Sequence, residues 1–179
     1  MESYKGQLLI ASPQLFDPNF YRTVVLMLQH DDEGAMGVVL NRPTQTAVAE
    51  AWDQVSDTDC EIHDPLFCGG PCQQMLTVLH THEFVSEINA FSGMYYSSDK
   101  DSVEWLVEHG DGPMKFFVGC AGWSPDQLEG ELATDSWLTM PAKKEHIFYA
   151  DDDLWQRVNK ELALTGLDPR LIPKDPSMN

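Results

Sequence analysis

The stretch TVVLMLQHDDEGAMGVVL, residues 23–40, decides the fold class. Residues 23–29 are β-branched and apolar, which is typical of a buried strand. The acidic residues and the glycine of segment 31–34 suit a tight turn, and residues 35–40 are apolar again. We therefore expect two antiparallel strands joined by a hairpin, the second of which ends before Pro43.

Outside this hairpin, strand-like and helix-like segments follow one another at irregular intervals. Further strands are predicted at residues 6–12, 65–68, 74–80, 84–88, 94–97, 115–121, 136–140 and 146–149. The spacing of apolar residues predicts helices at 46–55, 99–109, 124–134 and 151–163. Hairpins mixed irregularly with helices indicate an α+β (mixed α/β) class rather than a doubly wound parallel sheet.

Several helix ends carry a recognisable signal. Ser98, Ser124 and Asp151 are expected to cap the last three helices, because their side-chain oxygens accept hydrogen bonds from free backbone N–H groups. Gln127, three residues after Ser124, completes the pattern of a capping box. Gly110 is expected to end the second helix. The proline-rich tail from about residue 169 is expected to be poorly ordered.

Size and charge restrict the function. The 179 residues favour one domain spanning residues 1–179. The 29 acidic and 11 basic residues give a formal net charge of -18, which repels nucleic-acid backbones and anionic membranes. No signal peptide or membrane-length apolar run is present, so we expect a cytoplasmic protein. There the four cysteines, Cys60, Cys68, Cys72 and Cys120, are expected to be reduced.

Four segments together resemble the YqgE/AlgH family of bacterial proteins. They are GQLLIASPQLFDPNFYRTVVLMLQHDDEGAMGVVLNRP (6–43), FCGGPC (67–72), FFVGCAGWSPDQLEGEL (116–132) and DSW (135–137). The resemblance implies a single domain with a mostly antiparallel, bifurcated sheet curled into a pseudo-barrel, and helices packed outside. It implies no established reaction, although some members are labelled transcriptional regulators. Cys120 stands where members usually have an aromatic residue, and Cys72 where a small aliphatic residue is common.

Two arginines stand out in an acidic region. Lys5, Arg22 and Arg42 are the only basic residues among the first 90. One interpretation is structural: the guanidinium groups grip backbone carbonyls or Asp17 and hold a loop in place. The other is functional: Arg22 and Arg42, with Asn41, bind an anion. The sequence favours the structural interpretation and leaves the functional one open.

The turn after the strand at 115–121 is a second candidate for anion binding. Gly119, Gly122, Trp123 and Ser124 lie where a strand runs into a helix, and the first backbone N–H groups of a helix attract anions. The alternative is that the Ser124 and Gln127 side chains satisfy these groups. Neither a phosphate-binding P-loop nor a Gly-x-Ser-x-Gly nucleophile motif is present, so Ser124 is interpreted as a cap.

Cysteines and histidines raise the question of a metal or a catalytic thiol. Cys68 and Cys72, with His80 and His82, have spacings that zinc tolerates, but no second cysteine pair exists, and we predict no metal and no cofactor. Cys120 lies in a predicted buried strand, where cysteine usually acts as a small hydrophobe.

The sequence favours a non-enzymatic binding or regulatory protein that recognises a protein partner or a small anionic ligand. The alternative is an enzyme of unrecognised type that uses Cys120 or a histidine near the 119–124 turn. A direct DNA-binding regulator is the least favoured class, because the net charge opposes it.

Overall fold

The computed structural model describes residues 3–149 and 153–165. The predicted cap at Asp151 and the tail from about residue 169 lie outside this part of the chain. The strands are β1 (Gln7–Ala11), β2 (Val24–Asp31), β3 (Gly34–Val39), β4 (Pro43–Ala47), β5 (Pro65–Cys68), β6 (Cys72–His80), β7 (Ile88–Phe91), β8 (Met94–Ser97), β9 (Lys115–Trp123) and β10 (Trp137–Pro141). The helices are α1 (Val48–Trp52), α2 (Lys100–His109), α3 (Gln127–Ala133), α4 (Lys144–Phe148) and α5 (Leu154–Thr165), with a 3-10 turn at Glu83–Val85.

The strands join in one mixed sheet that divides at β9. Its main path runs β10-β1-β2-β3-β9-β6-β8-β7, and β4 and β5 branch from β9. Within the described residues, β5 pairs with β9 in parallel, and the other pairs are antiparallel. The mostly antiparallel, bifurcated sheet of an α+β protein is therefore confirmed.

The sheet curls until β7, at one end of its main path, approaches β1 and β2 near the other end. A Cβ atom on Gly6, next to β1, would lie 3.1 Å from the carbonyl oxygen of Ala90 in β7. No ladder joins β7 to β1 or β2 among the described residues, so the pseudo-barrel is curled but not closed.

Both faces of the central strands are buried, which explains their continuous apolar runs. In β1, Leu8 and Ile10 belong to one core cluster, whereas Leu9 and Ala11 belong to another. Helix α5 packs its buried residues into the first cluster. The predicted hairpin is confirmed: β2 and β3 are antiparallel, and Asp31 pairs with Gly34.

Two predicted strands are wrong. Residues 84–88 form the 3-10 turn followed by the start of β7, and Phe84 is 70% exposed. The local apolar run predicted a strand there, but pairing with β8 begins only at Ile88. Residues 146–149 lie in and after helix α4, whose first turn is held by the Lys143 backbone N–H donating to His146 Nδ1.

The structure also differs in detail near the helices. Strand β4, of sequence PTQTA, was not predicted because it is polar, and it exists by pairing with β5. Helix α1 is shorter than predicted. The cap of α2 is Asp99, whose carboxylate accepts from the Ser102 N–H at 3.1 Å, and the Ser98 N–H donates to Glu87 instead. Helix α2 does end at Gly110, but with φ of -63° rather than a left-handed conformation.

Candidate functional site

Arg22 occupies a strained backbone position at the entrance to β2. Its φ is +54°, in the left-handed region that side-chain-bearing residues rarely adopt. The preceding loop is a compact turn, in which the Phe20 and Tyr21 N–H groups donate to the Asp17 carbonyl oxygen at 3.0 and 2.7 Å. Thr23 closes the turn, since its Oγ1 donates to the Phe20 carbonyl oxygen at 2.8 Å. A conformation of this kind costs about 1–3 kcal/mol and persists only where its surroundings enforce it.

Asn41 supplies that enforcement. It lies two residues after the end of β3, directly after the buried Leu40, and is itself 8% exposed. Its Nδ2 donates to the Arg22 carbonyl oxygen at 2.9 Å, and its Oδ1 accepts from the Val24 N–H at 2.9 Å. The amide uses a donor and an acceptor at once, which Asp or Leu cannot do in this position. Asn41 therefore acts on the backbone of residues 22–24.

The Arg22 side chain is exposed and lies between two aromatic rings. Its guanidinium carbon is 5.1 Å from the Tyr21 ring centroid and 5.3 Å from that of Trp155. Trp155 is fixed in turn, because its indole N–H donates to the Ala11 carbonyl oxygen at 2.8 Å. Cation–π contacts orient a guanidinium without neutralising its charge. Among the ion pairs of the described residues, none involves Arg22.

Arg42 holds the same loop from the other side. Its Nη2 donates to the carbonyl oxygens of Pro18 at 3.2 Å and Tyr21 at 3.4 Å. Its own carbonyl oxygen accepts from the Cys68 N–H at 2.8 Å. This matches the structural interpretation, although the acceptors are carbonyls and not Asp17, whose carboxylate accepts from the Asn19 N–H at 2.7 Å.

An exposed aromatic ring completes this surface. Phe16 is 77% exposed and stacks on Tyr21 at 6.3 Å between ring centroids. We call the surface formed by Phe16, Tyr21, Arg22, Arg42 and Trp155 the arginine corner. The sequence drew attention to the two arginines and Asn41 through their placement at strand ends. It gave no sign of Trp155, which reaches the corner from a helix near the other end of the chain.

The structure separates Trp123 and Ser124 from the arginine corner. Trp123 pairs with Ala35 near the beginning of β3, whereas Asn41 and Arg42 follow its last residue, Val39. Ser124 and Arg42 are thus at opposite ends of β3, roughly 20 Å apart at the usual rise of a strand. The seven candidate residues therefore do not form one site.

The turn satisfies the Ser124 backbone N–H with one of its own side chains. Helix α3 begins at Gln127, three residues after the predicted cap, and Asp126 before it has φ of +60°. The Ser124 backbone N–H donates to Gln127 Oε1 at 3.0 Å, so a side chain of the turn occupies a donor that an anion would otherwise need. Gly119, with φ of +78°, and Gly122 belong to β9 rather than to a helix start.

Trp123 has a structural partner. Its indole N–H donates to Glu131 Oε2 at 2.9 Å, and the Trp137 indole N–H donates to the same oxygen at 2.7 Å. Glu131 thereby joins β9, β10 and α3. This shared acceptor gives the Trp of the DSW segment a role in packing.

The Cys120 thiol and the imidazoles of His30 and His80 are buried. Burial raises the pKa of the Cys120 thiol, which keeps it protonated and poorly nucleophilic. His30 is buried and contacts Glu129 at 2.9 Å. Burial lowers the pKa of His80 to about 4, and its Nε2 lies 2.9 Å from Ser97 Oγ. In the part of the chain described, no group of three or more His, Cys, Asp or Glu is placed to hold a metal ion.

A cavity of about 200 Å³ lies elsewhere, between β5, β9 and α4. Its wall includes Lys115, which is 7% exposed. Lys115 Nζ donates to the Ile147 carbonyl oxygen at 3.1 Å and lies 3.6 Å from the Phe67 ring centroid. The lysine is therefore engaged by the protein itself. Across residues 3–149 and 153–165, no helix has the length and apolar character that crossing a bilayer demands.

Comparison with known proteins gives concordant results. The profile of a family described as AlgH-like matches residues 8–166. A UPF0301 protein of Chlorobaculum tepidum is 40% identical over 159 residues, covering 85% of this chain and 83% of the relative. A UPF0301 protein of Stutzerimonas stutzeri is 36% identical over 176 residues, covering 94% and 92%.

Solved structures agree with the sequence relatives. The solution structure of the AlgH protein from Pseudomonas aeruginosa superposes with a TM-score of 0.77 at 29% identity, covering 99% of this chain and 96% of that one. The crystal structure of a Corynebacterium diphtheriae protein has the same fold, with a TM-score of 0.72 at 22% identity over 90% of this chain and 87% of that one. The resemblance expected from the four sequence segments is confirmed, and the chain belongs to the AlgH-like family.

Proposed function

We propose that this protein is a non-enzymatic binding protein, of regulatory type, that receives a carboxylate or phosphate group at the arginine corner. The group is carried either by a partner protein or by a small molecule. The observation that carries the proposal is the conformation of Arg22, a strained residue with an exposed cation that a buried asparagine holds in place. Strain of this kind, maintained at a cost in stability, is concentrated at binding and catalytic sites.

Charge supports this assignment. The chain has a formal net charge of -18, yet the exposed Arg22 guanidinium contacts aromatic rings rather than carboxylates, so it forms a local site of positive charge. The Arg22 guanidinium presents a planar set of donors suited to carboxylate and phosphate. The surrounding acidic surface discourages anions elsewhere, so the anion is expected to be selected at this corner.

The shape of the corner favours an anion borne by a protein. Phe16 and Tyr21 are 77% and 42% exposed and stand beside Arg22. Exposed aromatic residues and arginine are enriched at the centres of protein interfaces. An acidic segment with apolar neighbours would use both the cation and the rings. A cytoplasmic location, in which such partners are available, belongs to the same proposal.

Enzymatic and DNA-binding functions receive less support. The raised pKa of the Cys120 thiol and its 5% exposure oppose a role as the nucleophile that attacks a substrate arriving from solution. Direct DNA binding needs a concentrated basic face, and the arginine corner offers two arginines, one of which already grips a loop.

The experiment compares Arg22→Gln with Lys5→Gln, which removes the same charge from an exposed residue outside the corner. Thermal unfolding of the full chain is followed in inorganic phosphate, citrate and chloride at matched ionic strength. In parallel, a photoreactive benzophenone side chain at position 16 captures neighbouring proteins inside cells. Both readouts are expected to depend on Arg22 and not on Lys5.

The two arms distinguish the source of the anion. If phosphate or citrate raises the Tm only when Arg22 is present, the ligand is a small anion. If the photochemical adduct alone is lost in Arg22→Gln and retained in Lys5→Gln, the anion belongs to a partner protein. If neither readout changes with Arg22, the proposal is wrong.

A further inference from the structure

Two cysteines face each other across neighbouring strands. Cys72, the first residue of β6, pairs directly with Cys120 of β9 in an antiparallel ladder. Residues so paired have Cα atoms about 4.5–5.5 Å apart, within the range of about 4.4–6.8 Å that a disulfide spans. Both thiols are free in this structure. The two positions therefore meet the backbone requirement for a disulfide without a change of register.

The two side chains also point to the same face of the sheet. A Cβ atom on Gly122, two residues after Cys120 and on the same face, would lie 4.0 Å from Cys72 Sγ. Side chains three residues apart on a regular strand point to opposite faces, but Gly119 has φ of +78° and interrupts this alternation in β9. Cys120 therefore belongs to the same core cluster as Phe117. Cys72 is exposed, whereas Cys120 is 5% exposed. The two paired cysteines therefore differ in their access to solvent.

We propose that Cys72 and Cys120 are a site of reversible oxidation, at which the chain exchanges with a low-molecular-weight disulfide such as glutathione disulfide to form an intramolecular disulfide. The Cys72 thiolate attacks one sulfur of glutathione disulfide and releases one glutathione thiolate, which leaves glutathione attached to Cys72. Cys120 then loses its proton to solvent, attacks Cys72 Sγ and releases the second glutathione. Two protein thiols are oxidised, and one glutathione disulfide is reduced to two thiols.

The order of the two steps follows from exposure. Cys72 is open to a reagent the size of glutathione, whereas Cys120 is not. Burial, and secondarily the neighbouring Cys72, raise the pKa of the Cys120 thiol, which disfavours its direct reaction with reagents in solution. Once Cys72 carries glutathione, a sulfur that Cys120 can attack lies directly beside it.

The other two cysteines are placed differently. The Cys68 thiol is 4.0 Å from the Gly70 carbonyl oxygen, and its strand pairs with β9 at Val118. Cys60 packs beside a different core cluster, and burial raises the pKa of its thiol. Neither is paired with Cys72 or Cys120 in a ladder.

The disulfide would have a mechanical effect. The β6–β9 ladder is irregular between Cys72 and Leu76, so the first half of β6 is less regularly paired than the second. A covalent link at Cys72 would fasten this half to β9 beside the Gly69-Gly70 turn. This site shares no residue with the arginine corner, so the inference does not depend on the function proposed for that corner.

The test uses the full chain in a background that keeps only these two thiols, C60A/C68A. The reduced protein is incubated with glutathione disulfide, remaining thiols are alkylated, and the products are identified by mass spectrometry. We expect the loss of two hydrogen atoms, a peptide that joins Cys72 to Cys120, a higher Tm after oxidation, and full reversal by a reductant. The wild-type chain is expected to give the same link.

Two further variants provide the controls. C72A, which changes an exposed residue and is expected to fold, should neither gain glutathione nor form the link. C120A should stop at a stable glutathione adduct on Cys72. A lasting glutathione adduct on Cys72 in the C60A/C68A background, or a wild-type link between Cys68 and Cys72, would overturn the proposal.

Discussion

Asn41 donates a hydrogen bond from Nδ2 to the carbonyl oxygen of Arg22 at 2.9 Å, and so holds a left-handed residue beside β2. Asn41 lies just after the end of β3, next to the start of β2. Its Oδ1 also accepts a hydrogen bond from the N–H of Val24, the first residue of β2. The contact joins a buried side-chain amide to the backbone of a residue whose own side chain is exposed. It makes the position of the Arg22 guanidinium a consequence of the sheet rather than of the loop alone.

Replacing Asn41 with Ala is expected to lower the free energy of unfolding by about 2–4 kcal/mol, because the buried Val24 N–H and the partly buried Arg22 carbonyl oxygen each lose their partner. Urea unfolding at neutral pH measures the change. Asn89→Ala is the matched control, since Asn89 is exposed and lies on strand β7; its effect should stay within about 0.5 kcal/mol. Equal losses in both variants would contradict the role assigned to Asn41.

Replacing Arg22 with Gly is expected to leave the protein more stable than replacing it with Gln, by about 1 kcal/mol. Both variants remove the cation–π contacts, but only glycine adopts a positive φ without steric cost. At Lys5, whose φ is not positive, the corresponding Gly variant should be no more stable than the Gln variant. The four proteins are compared by chemical unfolding, and the prediction fails if the order at position 22 is reversed.

Two glycines should respond oppositely to alanine. At Gly70, φ is +149° and a Cβ atom would lie 2.3 Å from the backbone of Cys120, so Gly70→Ala is expected to cost more than about 2 kcal/mol. At Gly130, inside α3, nothing lies within 4 Å of a Cβ atom. Gly130→Ala should therefore stabilise by about 0.5–1 kcal/mol, because alanine favours a helix. Thermal and urea unfolding of both variants check the two signs.

Stability is expected to fall as the pH is lowered from about 6.5 towards about 4, partly through His80. Burial, and secondarily the neighbouring His82, lower its pKa from 6.5 to about 4 in the folded protein. The unfolded chain therefore binds a proton in this window that the folded chain does not, so the folded state loses stability as the pH decreases. The backbone N–H of His82 donates to His80 Nδ1 at 3.1 Å, a hydrogen bond that requires His80 Nδ1 to be unprotonated.

The measurement for His80 is the slope of unfolding free energy against pH between 4.5 and 6.5, in wild type and His80→Gln. The variant is expected to be less stable at pH 7, since it loses the contact with Ser97, but to show a shallower slope. An unchanged slope would assign the acid sensitivity to other groups.

Local chemistry predicted most strands correctly and several boundaries incorrectly. The β2–β3 hairpin and β9 were predictable, because their apolar runs and turn residues act within a few positions. The predicted start of α3 was wrong. The Gln127 side chain accepts from the Ser124 backbone N–H, as in a capping box, but the left-handed conformation of Asp126 delays the helix until Gln127. The polar strand β4 has no local signal, since its partner β5 lies about 20 residues later.

The sequence by itself determined the α+β class, the family, the charge and the candidate residues Arg22, Asn41 and Arg42. Only the tertiary structure decided which candidates lie together: the register of β3 against β9 places Ser124 at the far end from Arg42. It also brought Trp155 to Arg22 and Cys72 to Cys120. The physical reason is that strand pairing and helix docking join residues distant in the chain through packing of the whole core, and no local pattern of residues encodes that choice.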